Sequence, residues 1–252
     1  YNAYYANMVA NEMFLDSATL RNSVVAKAKH LGYLPRSAKG SKAVVDLTIT
    51  PTGAPAVITI PRFTQFQGDV DGINYIWCTA NSHALNINAN LIYTVSNVEL
   101  TQGIPISYRY TAETADVDQR YLLPNANIDT DTLTVTVQTS KTESASFAYD
   151  LANDITTVNS TSRHYFLDEV DEGLYEVQFG DGILGKEVSN GNIITLAGLV
   201  TDTDATNGCK NFTTVADVGG YSNVKIVVAA AAGGGASSAD IQEIKFNAPK
   251  SF

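Results

Sequence analysis

The chain has 252 residues and carries 26 acidic against 16 basic side chains. Its apolar content is that of an ordinary globular protein, and no run approaches the roughly 18 apolar residues of a membrane-spanning helix, so no membrane partner is expected. Two cysteines, Cys78 and Cys209, stand far apart without a C-x-x-C, which excludes a disulfide scaffold and predicts reduced, buried thiols.

The charge is uneven. Residues 1–62 hold seven Lys/Arg and three acids, and the remainder nine basic and 23 acidic groups. A basic end on an acidic body suits an acidic protein face or a solvated helix face, while the body repels phosphates and argues against nucleic acid. The chain starts at Tyr1 without methionine and stops at "NAPKSF", so it reads as a piece of something longer.

Tyr1, Tyr4, Tyr5, Met8, Val9 and Leu15 recur near helical spacing and predict an amphipathic helix already under way at the first residue. Asp16 or Ser17 is positioned to cap a second helix, unless the chain simply continues helical. Leu20, Val24, Ala28 and Leu31 form its stripe, Gly32 stops it and Pro35 forbids resumption. Both stripes lack a local core. They are expected to face another chain, the alternative being this chain's own sheets.

From Lys42 the period changes to two. Strands are predicted in "KAVVDLTIT", "AVITIP", "INYIWCTA", "NLIYTVSNVEL", "PISYRYTA", "DTLTVTVQT", "SRHYFLDEV", "LYEVQF", "NIITLAGLV" and "SNVKIVVAA", separated by Asn, Asp, Gly and Pro. "ASFAYDLAND" is the one helix candidate between 40 and 228. After a flexible "AAAAGGGASS", Ser238 is placed to cap a short helix over "ADIQEIKF". The fold class is α+β, mainly β: N-terminal helices, an antiparallel body of many short strands, and a short C-terminal helix. The expected divisions are 1–36 helical, 37–125 a first β region, 126–228 a second with a glycine-rich hairpin, and 229–252 a linker and helix start.

"QFGDGILGKEVSNGN" places Gly180, Gly182 and Gly185 in the G-x-G-x-x-G spacing of dinucleotide-binding folds, with Asp202 and Asp204 downstream as ribose ligands. That reading needs a helix opening at the third glycine. Asn190-Gly191 follows within a few residues as a hairpin signal, so the segment is predicted to be a β-hairpin or a tight turn series with glycines at positive φ. "DTDATNG" resembles an EF-hand opening, but its glycine comes one residue late and Thr213 replaces the closing Glu. No His or Cys pair has zinc spacing, G-x-S-x-G is absent, and His164 lies within a predicted strand. No catalytic residue, cofactor, metal or small-molecule substrate is expected.

Several stretches in order resemble the baseplate wedge proteins of T-even-type contractile-tailed phages, within the wider baseplate J-like family. "FLDSATLRNSVVAKAKHLGYLPRSAKGSKAVVDLTI" is similar to that family's helix-then-strand segment. "ITIPRFTQF" is similar to its I-P-x-G-T-x-F element, with Phe63 in place of glycine. "YEVQFGDGILGKEVSNGNII" resembles its glycine-rich hairpin, and "AAAAGGGASSADIQEIKFNAPKSF" its Gly-Gly entry to a helix. The resemblance is weakest between 67 and 125. It implies a non-enzymatic virion subunit of the tail baseplate, assembled in the host cytoplasm, that holds the sheath-contraction trigger metastable. Its partners would be a second copy of itself and the other wedge subunits, met through Tyr4, Tyr5, Met8, Leu20, Val24 and Leu31. Gly180, Gly182, Gly185, Asn190 and Gly191 would then be structural turn residues. The competing reading is a β-rich receptor- or glycan-binding tail module, for which thirteen tyrosines and Trp77 would serve as sugar-stacking platforms.

Overall fold

The computed structural model describes residues 2–51, 53, 55–116, 119–153 and 155–251, and of residues 2–6, 155 and 172 the backbone alone. Two helices open the chain, α1 (Asn2–Asn11) and α2 (Arg21–His30). Lys27, Lys29 and His30 lie in the last turn of α2, where they suit the negative end of its dipole. Gly32, at φ 73°, ends it: its N–H donates to the Lys29 carbonyl, and that of Tyr33 to Ala28.

Fifteen strands follow among the described residues: β1 (Lys42–Ile49), β2 (Val57–Ile60), β3 (Gln65–Val70), β4 (Ile73–Thr79), β5 (His83–Asn86), β6 (Tyr93–Gln102), β7 (Ile104–Thr111), β8 (Tyr121–Leu123), β9 (Ile128–Gln138), β10 (Ser146–Leu151), β11 (His164–Glu169), β12 (Tyr175–Phe179), β13 (Ile193–Val200), β14 (Phe212–Thr214) and β15 (Val224–Gly233). Helix α3 (Ile241–Asn247) comes last. The molecule is mainly β and its sheets are antiparallel, except that β10 and β11 run parallel. No helix of the described residues is long and apolar enough to cross a membrane.

The first sheet has the order β14-β3-β4-β6-β1-β15 and the second β7-β13-β9-β10-β11-β12-β8, with β2-β5 as a separate ribbon. Alternation makes each core. On β1, Ala43, Val45, Leu47 and Ile49 point inward against Phe66, Trp77, Leu100 and Ile60 of the ribbon. The second core gathers Leu123, Val135, Tyr165, Tyr175, Val177 and Leu196.

The sheets do not divide the sequence at 125/126. β7 and β8 belong to the second sheet, while β14 and β15 return to the first. The cause is Gly103, the single residue between β6 and β7. It sits at φ 151°, and a Cβ there would lie 2.8 Å from Leu199 Cβ and 3.0 Å from the Val200 carbonyl, so glycine alone lets the chain switch sheets at that point. Buried Gln102 ties the junction by donating to Asp202 (2.7 Å) and accepting from the Thr201 hydroxyl (2.7 Å) and the Asp202 N–H (2.9 Å).

Four local expectations are corrected. "ASFAYDLAND" forms β10, because Tyr149 must enter the second core. The alanines of "AAAAGGG" extend β15, where Ala230 pairs with Val44 and Gly233 with Lys42, so sheet pairing overrides alanine's poor strand preference. α2 has no side-chain cap, since Leu20 occupies that position, and α3 is capped by Asp240, whose carboxylate accepts from Glu243 N–H at 2.7 Å. Finally, β12 pairs with β11 and β8 whereas β13 pairs with β7 and β9, so the glycine-rich segment between them is no hairpin.

Candidate assembly surface

The glycine-rich segment is a turn series. Gly182, Gly185 and Gly191 adopt φ of 81°, 87° and 81°. Gly180 has an ordinary φ, but a Cβ on it would meet the Leu184 carbonyl oxygen at 2.3 Å. The Asp181 carboxylate accepts from the N–H groups of Ile183 and Leu184, both at 2.9 Å, which holds its pKa below the usual value. The segment opens no helix; β13 is the next element. Asn190 and Gly191 sit where β13 begins, with the Gly191 N–H on the Ala112 carbonyl and the Asn190 side chain accepting from Thr114 N–H. The tip presents Ile183 to solvent, 76% exposed.

The other chemical candidates are absorbed into structure. Asp202 is engaged by Gln102, and Asp204 accepts from Thr203. Among the described residues no three of His, Cys, Asp and Glu gather at metal-binding distance. Cys78 and Cys209 are buried free thiols, and burial pushes Cys78 up to about 12. Among the described residues Trp77, Tyr93 and Tyr175 are fully buried and Phe179 makes edge-to-face contacts with Tyr121 and Tyr149, while Phe14, Phe147 and Phe246 are exposed. The buried rings of Trp77, Tyr93 and Tyr175 are used in packing and are not available for stacking on a sugar.

Five exposed large apolar side chains lie on α1 and the turn that leads to α2. The described side chains of α1, Asn7 to Asn11, are all exposed. Met8 is 47% exposed, Phe14 67% and Leu20 55%, with Val9 and Met13 exposed between them. Tyr4 and Tyr5 lie on α1, but their side chains fall outside the described residues, as does Tyr1. The turn after α1 is organised by Glu12, whose carboxylate accepts from the Thr19 hydroxyl (2.7 Å), Thr19 N–H (2.8 Å) and Leu20 N–H (3.3 Å), and these bonds pull it down to about 2.

The second stripe is not free as expected. Val24 and Ala28 are fully buried against Ala239, Ile244 and Ala248 at the chain's other end, and Leu31 packs half-buried at the margin. Three ion pairs surround this knot. Arg21 donates to Glu169 of β11 through Nε (2.7 Å) and Nη2 (3.0 Å), and through Nη1 to the Ala239 carbonyl (2.6 Å). Lys29 meets Asp168 at 2.6 Å, and Arg36 meets Glu243 at 3.0 Å while donating to the Ser237 carbonyl. Arg21, Lys29 and Arg36 therefore serve the chain's own acids, at separations along the chain that no local pattern reveals. Phe14 and Met13 also escaped the periodicity, because they lie in a turn and not on a helical stripe.

No protein-family model matches the chain. Over 200 residues, 76% of its length, it is 26% identical to the baseplate wedge protein gp6 of Enterobacteria phage T4, and it spans 29% of that protein's length. The chain is thus a distant relative of a phage baseplate wedge protein.

Proposed function

We propose that the chain is a structural, non-enzymatic subunit of a contractile-tail baseplate wedge, located in the virion and joined to other wedge subunits. The observation that carries this is the likeness to a wedge protein along three quarters of the chain. The disposition of the residues supports it: Trp77, Tyr93 and Tyr175 are used in the cores, Asp129, Glu169 and Glu176 are buried, and Met8, Val9, Met13, Phe14 and Leu20 lie exposed within one short stretch. Burying a Met, Leu or Phe side chain contributes roughly 1.5–3 kcal/mol, so this arm is adhesive enough to need a cover. The cover is a neighbouring wedge subunit or a second copy of the chain, held so that the assembly stays metastable until the sheath contracts.

The test is co-purification of Met8→Asp and Leu20→Asp with the other wedge proteins, circular dichroism confirming an intact β body. Both variants should fold and fail to assemble. Val24→Asp serves as the contrast, because it places a charge in the helical knot and should destabilise the chain itself. Normal wedge assembly by Met8→Asp and Leu20→Asp would show that residues 8–20 are not the interface.

A further inference from the structure

The chain holds four sulfur atoms, in two cysteines and two methionines, and the fold treats the two pairs in opposite ways. Cys78 and Cys209 are buried free thiols. Burial raises the pKa of both, which keeps them as unreactive thiols and not thiolates. Trp77, the single tryptophan and another oxidisable side chain, is fully buried in the first core. Met8 and Met13, by contrast, both lie on the exposed arm, 47% and 61% accessible. The rest of the chain has no methionine at all. A leucine would make the arm equally adhesive. A thioether adds the flexibility to fit an irregular partner surface, and it is open to oxidation.

We propose that Met8 and Met13 are oxidation sites through which a peroxide controls docking of the arm. The inference rests on residues 8–20 being a wedge interface and adds a chemical control to it. In each step the thioether sulfur attacks one oxygen of hydrogen peroxide. An S–O bond forms as the O–O bond breaks, the sulfur loses two electrons, and the departing hydroxide takes the proton of the new S–OH to become water. The sulfoxide is polar. A partner surface shaped for a thioether offers no donor to the new oxygen, and burying such a group unpaired weakens docking by roughly five- to hundredfold for each sulfur. The fold itself is spared. Neither methionine belongs to any of the three buried clusters, and the turn before α2 is ordered by the Glu12 carboxylate on Thr19 and Leu20. Docking covers both sulfurs, so the susceptibility ends with assembly. A dithiol reverses the step through methionine sulfoxide reductases: two thiols become a disulfide and the sulfoxide oxygen leaves as water.

The full chain, treated with millimolar hydrogen peroxide and then catalase, tests this by mass spectrometry, circular dichroism and co-purification with untreated wedge proteins. Trypsin releases Tyr1–Arg21 as one peptide carrying both methionines, because Arg21 is the first basic residue. That peptide should gain about 16 Da per sulfur as fast in the folded chain as in urea, while both thiols of the folded chain stay unmodified. The oxidised chain should keep its spectrum, lose co-purification, and regain it after the two epimer-specific reductases and a dithiol. Met8→Leu/Met13→Leu keeps volume and apolarity and should assemble with or without peroxide. Slow oxidation of the folded chain overturns the proposal. So does an oxidised chain that assembles normally, and so does a peroxide block that persists in the leucine variant. If Met8→Asp and Leu20→Asp block assembly while the sulfoxide form assembles, this inference falls and the interface stands; assembly by the aspartate variants removes the interface itself.

Discussion

Arg21→Ala tests how the helical knot is fastened to the second sheet. Glu169 is nearly inaccessible, its carboxyl pKa raised by burial and opposed by the Arg21 guanidinium. Removing Arg21 leaves that carboxylate charged and unpaired, a class of change that typically costs 3–5 kcal/mol. Here protonation sets a ceiling. The cost of charge cannot exceed that of protonating a carboxyl whose ordinary value is 4.5, which is about 3.4 kcal/mol at pH 7 and about 0.7 kcal/mol at pH 5. The lost hydrogen bond to the Ala239 carbonyl adds about 1 kcal/mol at either pH. The variant should therefore lose up to about 4 kcal/mol at pH 7 and no more than about 2 at pH 5.

The sign follows from linkage. A carboxyl whose pKa is raised on folding adds stability in its protonated form, fully present below 4.5 and lost as pH rises through the folded value. Deleting Arg21 raises the folded value further, so the defect grows with pH. Urea unfolding of wild type and Arg21→Ala at pH 5 and 7 measures it, and adding Glu169→Gln to the variant should abolish the pH dependence. An equal loss at both pH values would refute the reasoning, since it would mean that Glu169 is neutral or solvated without Arg21.

Two further outcomes follow from the turns and the thiols. Alanine substitutions in the glycine-rich segment should rank Gly180 above Gly185 above Gly182 in cost on chemical unfolding. Gly180 meets backbone at 2.3 Å and Gly185 combines positive φ with a 3.3 Å contact, whereas Gly182 carries the φ penalty of about 1 kcal/mol with only the Glu187 side chain nearby. Cys78, lifted to about 12 by burial, should resist iodoacetamide at pH 8 in the folded chain and react once urea unfolds it, as read by mass spectrometry; rapid labelling of the native protein would contradict its burial.

The legible part of the fold was its periodicity. β1 alternates cleanly because one face packs and the other does not, and the same holds for β11, while β9 and β13 alternate over part of their length. Short edge or ribbon strands such as β5, β8 and β14 gave no signal, because three or four residues hold at most two inward positions. The sheet exchange at Gly103 and the return of β15 to β1 depend on contacts remote along the chain, which no window of sequence contains. The same limit applied to the surface. The stripe Leu20, Val24, Ala28 and Leu31 was visible as apolar, but its cover, α3, lies more than two hundred residues away. G-x-G-x-x-G was visible as glycine, and what it shapes was decided by the strand that follows.

The knot matters because of what it joins. α2 is pinned to β11 of the second sheet through Arg21 and Glu169, and it packs against α3, which leads directly from β15 of the first. Arg36 and Lys39 fasten the connecting segment as well, Arg36 to Glu243 and Lys39 both to Asp131 and, by its backbone, to Ala236. α1 reaches the body through the Glu12-ordered turn, and Lys245 of α3 donates to the Asp16 carbonyl within it. In the proposed assembly a partner that pulls on Met8 or Phe14 loads both sheets through these pairs and apolar contacts, while α1, ten residues long and with the side chains of residues 7–11 exposed, is too short to be a stable helix alone. On the proposed reading a partner supplies the order that α1 lacks alone, so the cost of ordering it is borne at docking.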